Sequence, residues 1–101
     1  MKTYNKLIRD RVVEIIEAQG QKAFFHVAKN EEYAQKLKEK LMEEAEEFIT
    51  SENIDEMADV FEVITAVLEF YGWTVEEVVQ VQKRKREKRG GFSKRIILEK
   101  S

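Results

Sequence analysis

Between Tyr33 and Phe70 the chain repeats apolar residues at helical spacing twice, with only a short polar break between the two runs and no proline anywhere. Tyr33, Leu37, Leu41, Ala45 and Phe48 form one stripe, and Met57, Val60, Val63, Ile64, Val67 and Phe70 form the next. Two amphipathic helices joined so closely bury their apolar sides most simply against each other, so a tight helical hairpin is expected. Asn30 is a suitable N-cap for the first helix, which should fade near Thr50. Asn53 followed by Glu56 resembles a capping box for the second, and Gly72 stops it.

The flanks read as further helices. Ile8, Val12, Ile15 and Ile16 have helical spacing from Asn5 to Ala18, with Gly20 placed for a left-handed cap. Thr74 with Glu77 makes a cleaner capping box, opening a fourth helix through VEEVVQVQKRKREKR to Gly90. QKAFFHVAK and FSKRIILEK look strand-like, so a short two-stranded β element from residues 21–29 and 92–100 is expected, within or between chains. The expected fold is mainly all-α, a bundle of about four helices in one domain spanning residues 1–101. So short a chain buries little core, which favours a homo-oligomer, dimer or tetramer.

Zero cysteines exclude disulfides and thiolate metal sites, and the single histidine, His26, cannot build a zinc cage and is expected to be structural. Any metal site must use oxygen. No apolar run approaches a membrane span, and MKTYNKLIRD is too charged for a signal peptide, so the cytoplasm is the expected compartment.

The helical stripes carry carboxylates. With about 100° of rotation per residue, Glu44 projects between Leu41 and Phe48, and Glu47 flanks the same stripe one turn later. On the next helix Glu56 lies in line with Val60, Val63 and Val67, and Asp59 sits at the stripe's edge, while Asp55 and Glu62 face outward. Ionised carboxylates facing a core are costly unless neutralised. Two arrangements satisfy them: a divalent cation held by hard oxygen ligands, Mg²⁺ or Mn²⁺, or a wet cleft with pairing to Lys36, Lys40 or Arg84.

KLMEEAEEF followed by DEMADVFEV resembles the E-E-x-x-E and E-x-x-D motifs of the all-α nucleoside triphosphate pyrophosphohydrolases, the MazG-like superfamily that includes phosphoribosyl-ATP pyrophosphohydrolase. YNKLIRDRVVEII and KRGGFSKRIILE are similar to a small MazG-related house-cleaning group. The resemblance implies Glu44, Glu47, Glu56 and Asp59 as Mg²⁺ ligands, with Mn²⁺ as a substitute and Glu43 contributing. It implies hydrolysis of a nucleoside triphosphate between the α and β phosphates to a monophosphate and pyrophosphate, by metal-assisted attack of water. A carboxylate not used as a ligand would be the general base, Glu47 first and Glu43 behind it. Two departures stand out: Glu47 and Glu56 are closer in sequence than is usual in the superfamily, and Val13 stands where the small group commonly has proline. Neither removes a ligand.

Charge is divided along the chain: residues 1–82 carry 9 basic and 18 acidic side chains, and residues 83–101 carry 9 and 2. Lys83, Arg86 and Arg89 in KRKREKR are therefore candidates for binding substrate phosphates, beside a solvated helix end favoured by the helix dipole. Nucleic acid ranks third, since no aromatic residue interleaves the run. Lys6 and Arg9 are candidates for triphosphate oxygens, or equally for surface pairs with Asp10 or Glu14. Trp73 reads as an apolar clamp or an oligomer contact rather than a base-stacking platform. Apart from an enzyme, the pattern allows a helical nucleotide-binding or regulatory module without turnover, or a nucleic-acid-binding protein using the basic tail.

Overall fold

Thr74 and Glu77 show how directly local chemistry sets the elements. The Thr74 hydroxyl accepts from the Glu77 amide at 3.1 Å and the Glu77 carboxylate accepts from the Thr74 amide at 3.1 Å, a complete capping box at the start of the last helix. The computed structural model describes residues 2–101 and holds four helices: α1 (Val12–Ala18), α2 (Asn30–Ser51), α3 (Ile54–Tyr71) and α4 (Val75–Arg89). The architecture is all-α, and among the described residues no helix is long and apolar enough to cross a membrane.

Only α2 and α3 pack along their lengths. Their connection is two residues, Glu52 and Asn53. Glu52 adopts a left-handed conformation that ends α2 (φ 51°), and the Asn53 side chain accepts from the Glu56 amide at 2.9 Å to start α3. Glu56 does not return the bond as a full capping box would. Asn30, expected as a cap, is instead the first residue of α2. Between the helices Leu37 and Val63 are buried, and Tyr33 meets Phe70 edge-on at 5.4 Å toward the open end of the hairpin. Gly72 closes α3 at φ 74°, in the left-handed region glycine occupies without strain.

Two further expectations differ from the structure of the single chain. Helix α1 begins at Val12, not near Asn5: Asn5 has a left-handed backbone (φ 48°), its carbonyl accepts from Lys36 Nζ at 2.7 Å, and Lys6 and Arg9 are drawn to carboxylates on the hairpin. Residues 5–11 thereby run across α2 and α3 as a strap. The expected two-stranded element does not form within the chain: neither residues 21–29 nor residues 92–100 are a strand. A lone pair of strands is marginal without a surface to lie on, and in this protomer their side chains have none: Phe92 is 97% exposed and Phe24, Phe25, Val27 and Ile97 are exposed too. Arg95, with a left-handed backbone (φ 57°), also breaks the second segment.

Candidate metal centre

Glu44 lies seven residues after Leu37, and Glu56 seven before Val63, so each carboxylate continues the buried face of its own helix. Glu44 is only 8% exposed, although it is a carboxylate on a small protomer. Asp59, one turn beyond Glu56, joins them: carboxylate oxygens of Glu44, Glu56 and Asp59 all lie within 4.8 Å of one another. Such crowding of like charge favours capture of a cation.

Pairing with lysine, the second arrangement open to these residues, is present in part. Lys40 Nζ sits 3.2 Å from Glu44 Oε1 and 3.5 Å from Glu43 Oε1. Arg9 donates to Asp59 Oδ1 at 2.6 Å. Lys36 turns away to Glu39 and the Asn5 carbonyl, and Arg84 makes no ion pair among the described residues. What remains is decisive for the chemistry. Glu44 Oε2 and Glu56 Oε2 are both buried with no hydrogen-bond partner, and an orphaned buried carboxylate oxygen is costly. Three cations, Lys6, Arg9 and Lys40, pair with Glu43, Glu44 and Asp59, while Glu46, Glu47 and Glu56 make no ion pair among the described residues. The group therefore carries a surplus of negative charge that a cation would offset.

Beside the cluster an open cleft of about 490 Å³ is lined by Glu43, Glu46, Glu47, Thr50, Ser51 and Glu56. Glu47 is exposed and lies in this cleft rather than in the three-carboxylate group. The Thr50 and Ser51 hydroxyls there were not singled out by sequence, since no helical pattern marks them.

Lys6 and Arg9 are paired neither with Asp10 nor with Glu14; they bridge to Glu43 at 3.1 Å and to Asp59. The hydrogen bond to Glu43 raises the Lys6 ammonium against a desolvation cost, helped by the charges of Glu43, Glu47 and Glu44. Partial burial pushes the Glu43 carboxyl up, but the Lys6 and Lys40 hydrogen bonds and charges together outweigh it and hold it below the ordinary glutamate value. The depressed Glu43 contributes stability above its unfolded pKa, lost as pH falls through the folded one. The raised Lys6 contributes below the ordinary lysine value, lost as pH rises through the folded one. The bridge therefore contributes across the neutral range, and as a part-exposed pair it is worth no more than about 1 kcal/mol. Lys6→Met should raise the Glu43 pKa with little change in melting temperature. A carboxyl-carbon NMR titration measures this, and an unmoved Glu43 curve would show that Lys6 does not hold it.

Elsewhere, His26 Nε2 lies 2.9 and 3.0 Å from the two Glu32 oxygens, a structural tether. Trp73 stacks on Tyr71 with ring centroids 4.7 Å apart, an aromatic clamp at the end of α3. Lys83, Arg86 and Arg89 stand on α4, exposed and in no ion pair among the described residues, with Arg86 folded against Gly91. They are not brought to the acidic cluster within one protomer, because α4 does not pack along the hairpin.

Compared with protein-family models, curated proteins and solved structures, the chain matches none.

Proposed function

We propose that the chain is a Mg²⁺-dependent nucleotide pyrophosphohydrolase, converting a nucleoside triphosphate to a monophosphate and pyrophosphate. The observation that carries this reading is the pair of partnerless buried oxygens, Glu44 Oε2 and Glu56 Oε2, in a three-carboxylate cluster at the mouth of an acidic cleft. Of the residues that carry the resemblance to the MazG-like motifs, Glu44, Glu56 and Asp59 form that cluster and Glu43 and Glu47 line the cleft beside it. Glu44, Glu56 and Asp59 would hold the cation. Mn²⁺ would substitute, since the donors are all oxygen. When bound, the cation supplies charge neutralisation at phosphate oxygens and a lowered pKa for attacking water.

The chain's own residues do the rest. The cleft wall holds Glu43, Glu46, Glu47 and Glu56 and no basic side chain, so a polyphosphate enters only with its charge compensated. Glu47, exposed in the cleft and in no ion pair among the described residues, is the better general base. Glu43 is the weaker one, because two ammonium groups already hold its carboxylate ionised. Arg9 fixes the orientation of Asp59 through one carboxylate oxygen. Lys6 and Arg9 keep further N–H donors that can meet phosphate oxygens at the rim. Lys83, Arg86 and Arg89 act on substrate only if α4 or a second protomer carries them to the cleft. This chemistry belongs in the cytoplasm, where nucleoside triphosphates are made and damaged.

A pyrophosphate-release screen over a panel of ordinary and damaged nucleoside triphosphates and phosphoribosyl-ATP, with and without Mg²⁺, tests the reading. Metal-dependent release from at least one nucleotide is expected. Nucleotide binding without release would make the chain a binding module, and release without metal dependence would remove the cluster from the reaction.

A further inference from the structure

Among the described residues Lys40 is the one cation paired with Glu44, the buried carboxylate of the cluster. It stands one turn before Glu44 on α2, at the i, i+4 spacing that puts both side chains on one face of the helix. Its Nζ lies 3.2 Å from Glu44 Oε1 and 3.5 Å from Glu43 Oε1, and its side chain is only 16% exposed, against 44% for Lys6 and 57% for Arg9. Lys6 and Arg9 arrive on the strap, whereas Lys40 belongs to the hairpin itself and is in place whenever α2 is folded. The pair divides the Glu44 carboxylate: Oε1 is held by the ammonium, and Oε2 is left buried without a partner.

A charged group beside a metal ligand has two opposite effects. It orients the ligand, so that its loss weakens metal binding, and it competes with the metal for the ligand's charge, so that its loss strengthens binding. The geometry decides between them. Glu44 is 8% exposed and continues the buried line of Leu37 between the packed helices α2 and α3, so packing already fixes its direction. Lys40 is a poor orienter, a point charge on a flexible stem shared between two carboxylates of its own helix. Its full positive charge, by contrast, acts on any cation that shares Glu44, and like charges a few ångströms apart repel appreciably even at the dielectric of water. We infer that Lys40 sets the metal affinity of the cluster: its ammonium is the resident counter-charge of Glu44 in the metal-free fold and competes with a divalent cation for that carboxylate. When the cation binds, Lys40 retains Glu43, which it already reaches, so no charge is stranded. The cluster is thereby tuned to exchange its cation rather than to retain it permanently. The inference rests on the metal reading of Glu44, Glu56 and Asp59, and not on turnover.

Mn²⁺ titration of the full chain, paired with melting curves in the absence of metal, tests it. Lys40→Met removes the charge and keeps the stem. It should bind Mn²⁺ roughly tenfold more tightly than the wild type, while its metal-free melting temperature falls because Glu44 is left buried and uncompensated. Lys40→Arg keeps the charge and should restore both the wild-type affinity and the metal-free melting temperature. Lys85→Met, exposed on α4 and in no ion pair among the described residues, controls for the loss of a positive charge as such and should behave as the wild type does. A readout on the unsubstituted chain covers the case in which Lys40→Met does not fold without metal: Mg²⁺ should shift the side-chain ε-carbon NMR signal of Lys40 and leave in place that of Lys36, which is held by Glu39 and the Asn5 carbonyl. No uptake of Mn²⁺ by the wild-type chain would remove the metal centre and the inference with it. Uptake by the wild type with equal or weaker binding by Lys40→Met, or an unmoved Lys40 signal in the metal-saturated protein, would leave the metal centre standing and overturn the inference alone.

Discussion

Glu44→Gln should lower Mg²⁺-dependent pyrophosphate release by at least about 100-fold, the upper range seen when even a residue that merely orients a metal ligand is lost. Glutamine keeps the shape of the side chain and removes the charge from the most deeply buried carboxylate in the chain. Glu62→Gln is the matched control: it lies on the exposed flank of α3, lines no cleft and belongs to no ion pair among the described residues, so turnover should stay within about two-fold. Thermal stability separates loss of chemistry from loss of fold. Without metal, the substitution relieves repulsion from Glu56 and Asp59 and removes an unsatisfied oxygen, which offsets the lost Lys40 pair because Lys40 keeps Glu43, so the variant's metal-free melting temperature should equal or exceed that of the wild type. An inactive variant at least as stable as its parent is the signature of a site that trades stability for function. Full turnover in Glu44→Gln would remove this residue from the site.

The second large effect is stabilisation by metal. A ligand that binds only the folded state stabilises by mass action, about 2.7 kcal/mol at one hundred times the dissociation constant. In a chain of this size that corresponds to a rise of roughly 10–20 °C in melting temperature. Mg²⁺ or Mn²⁺ should produce such a rise, and monovalent salt at matched ionic strength should not, because screening alone does not fill the partnerless oxygens of Glu44 and Glu56. Equal shifts with both salts would reduce the cluster to a screened acidic face.

What was legible in the sequence is what is local. The caps at Asn53, Thr74 and Gly72 depend on neighbours three or four residues away, and they mark the ends of α3 and the start of α4 as expected. The inward phase of Glu44, Glu56 and Asp59 follows from rotation about a straight helix, and the structure brings those three together. Glu47 has the same local warrant, but its rotation away from Glu44 is enough to carry it from the buried line to the exposed cleft. The strap was not legible. Residues 5–11 have helical spacing, yet their conformation is decided by Lys6 meeting Glu43 and Arg9 meeting Asp59, partners 37 and 50 residues away. The strand-like segments failed for the opposite reason: alternation and aromatic content are local, but a ladder needs a packed surface that one protomer does not provide.

Titration of Mn²⁺ into the protein, followed by the electron paramagnetic resonance signal of the free aqueous ion, tests the carboxylate cluster most directly, because it reads binding without substrate or turnover. The wild-type chain should deplete the free-ion signal, and Glu44→Gln and Glu56→Gln should each restore it toward the total added while Glu62→Gln behaves as the wild type does. A free-ion signal equal to the total in the wild-type protein, or the same depletion in all four proteins, would contradict a metal centre built from Glu44, Glu56 and Asp59.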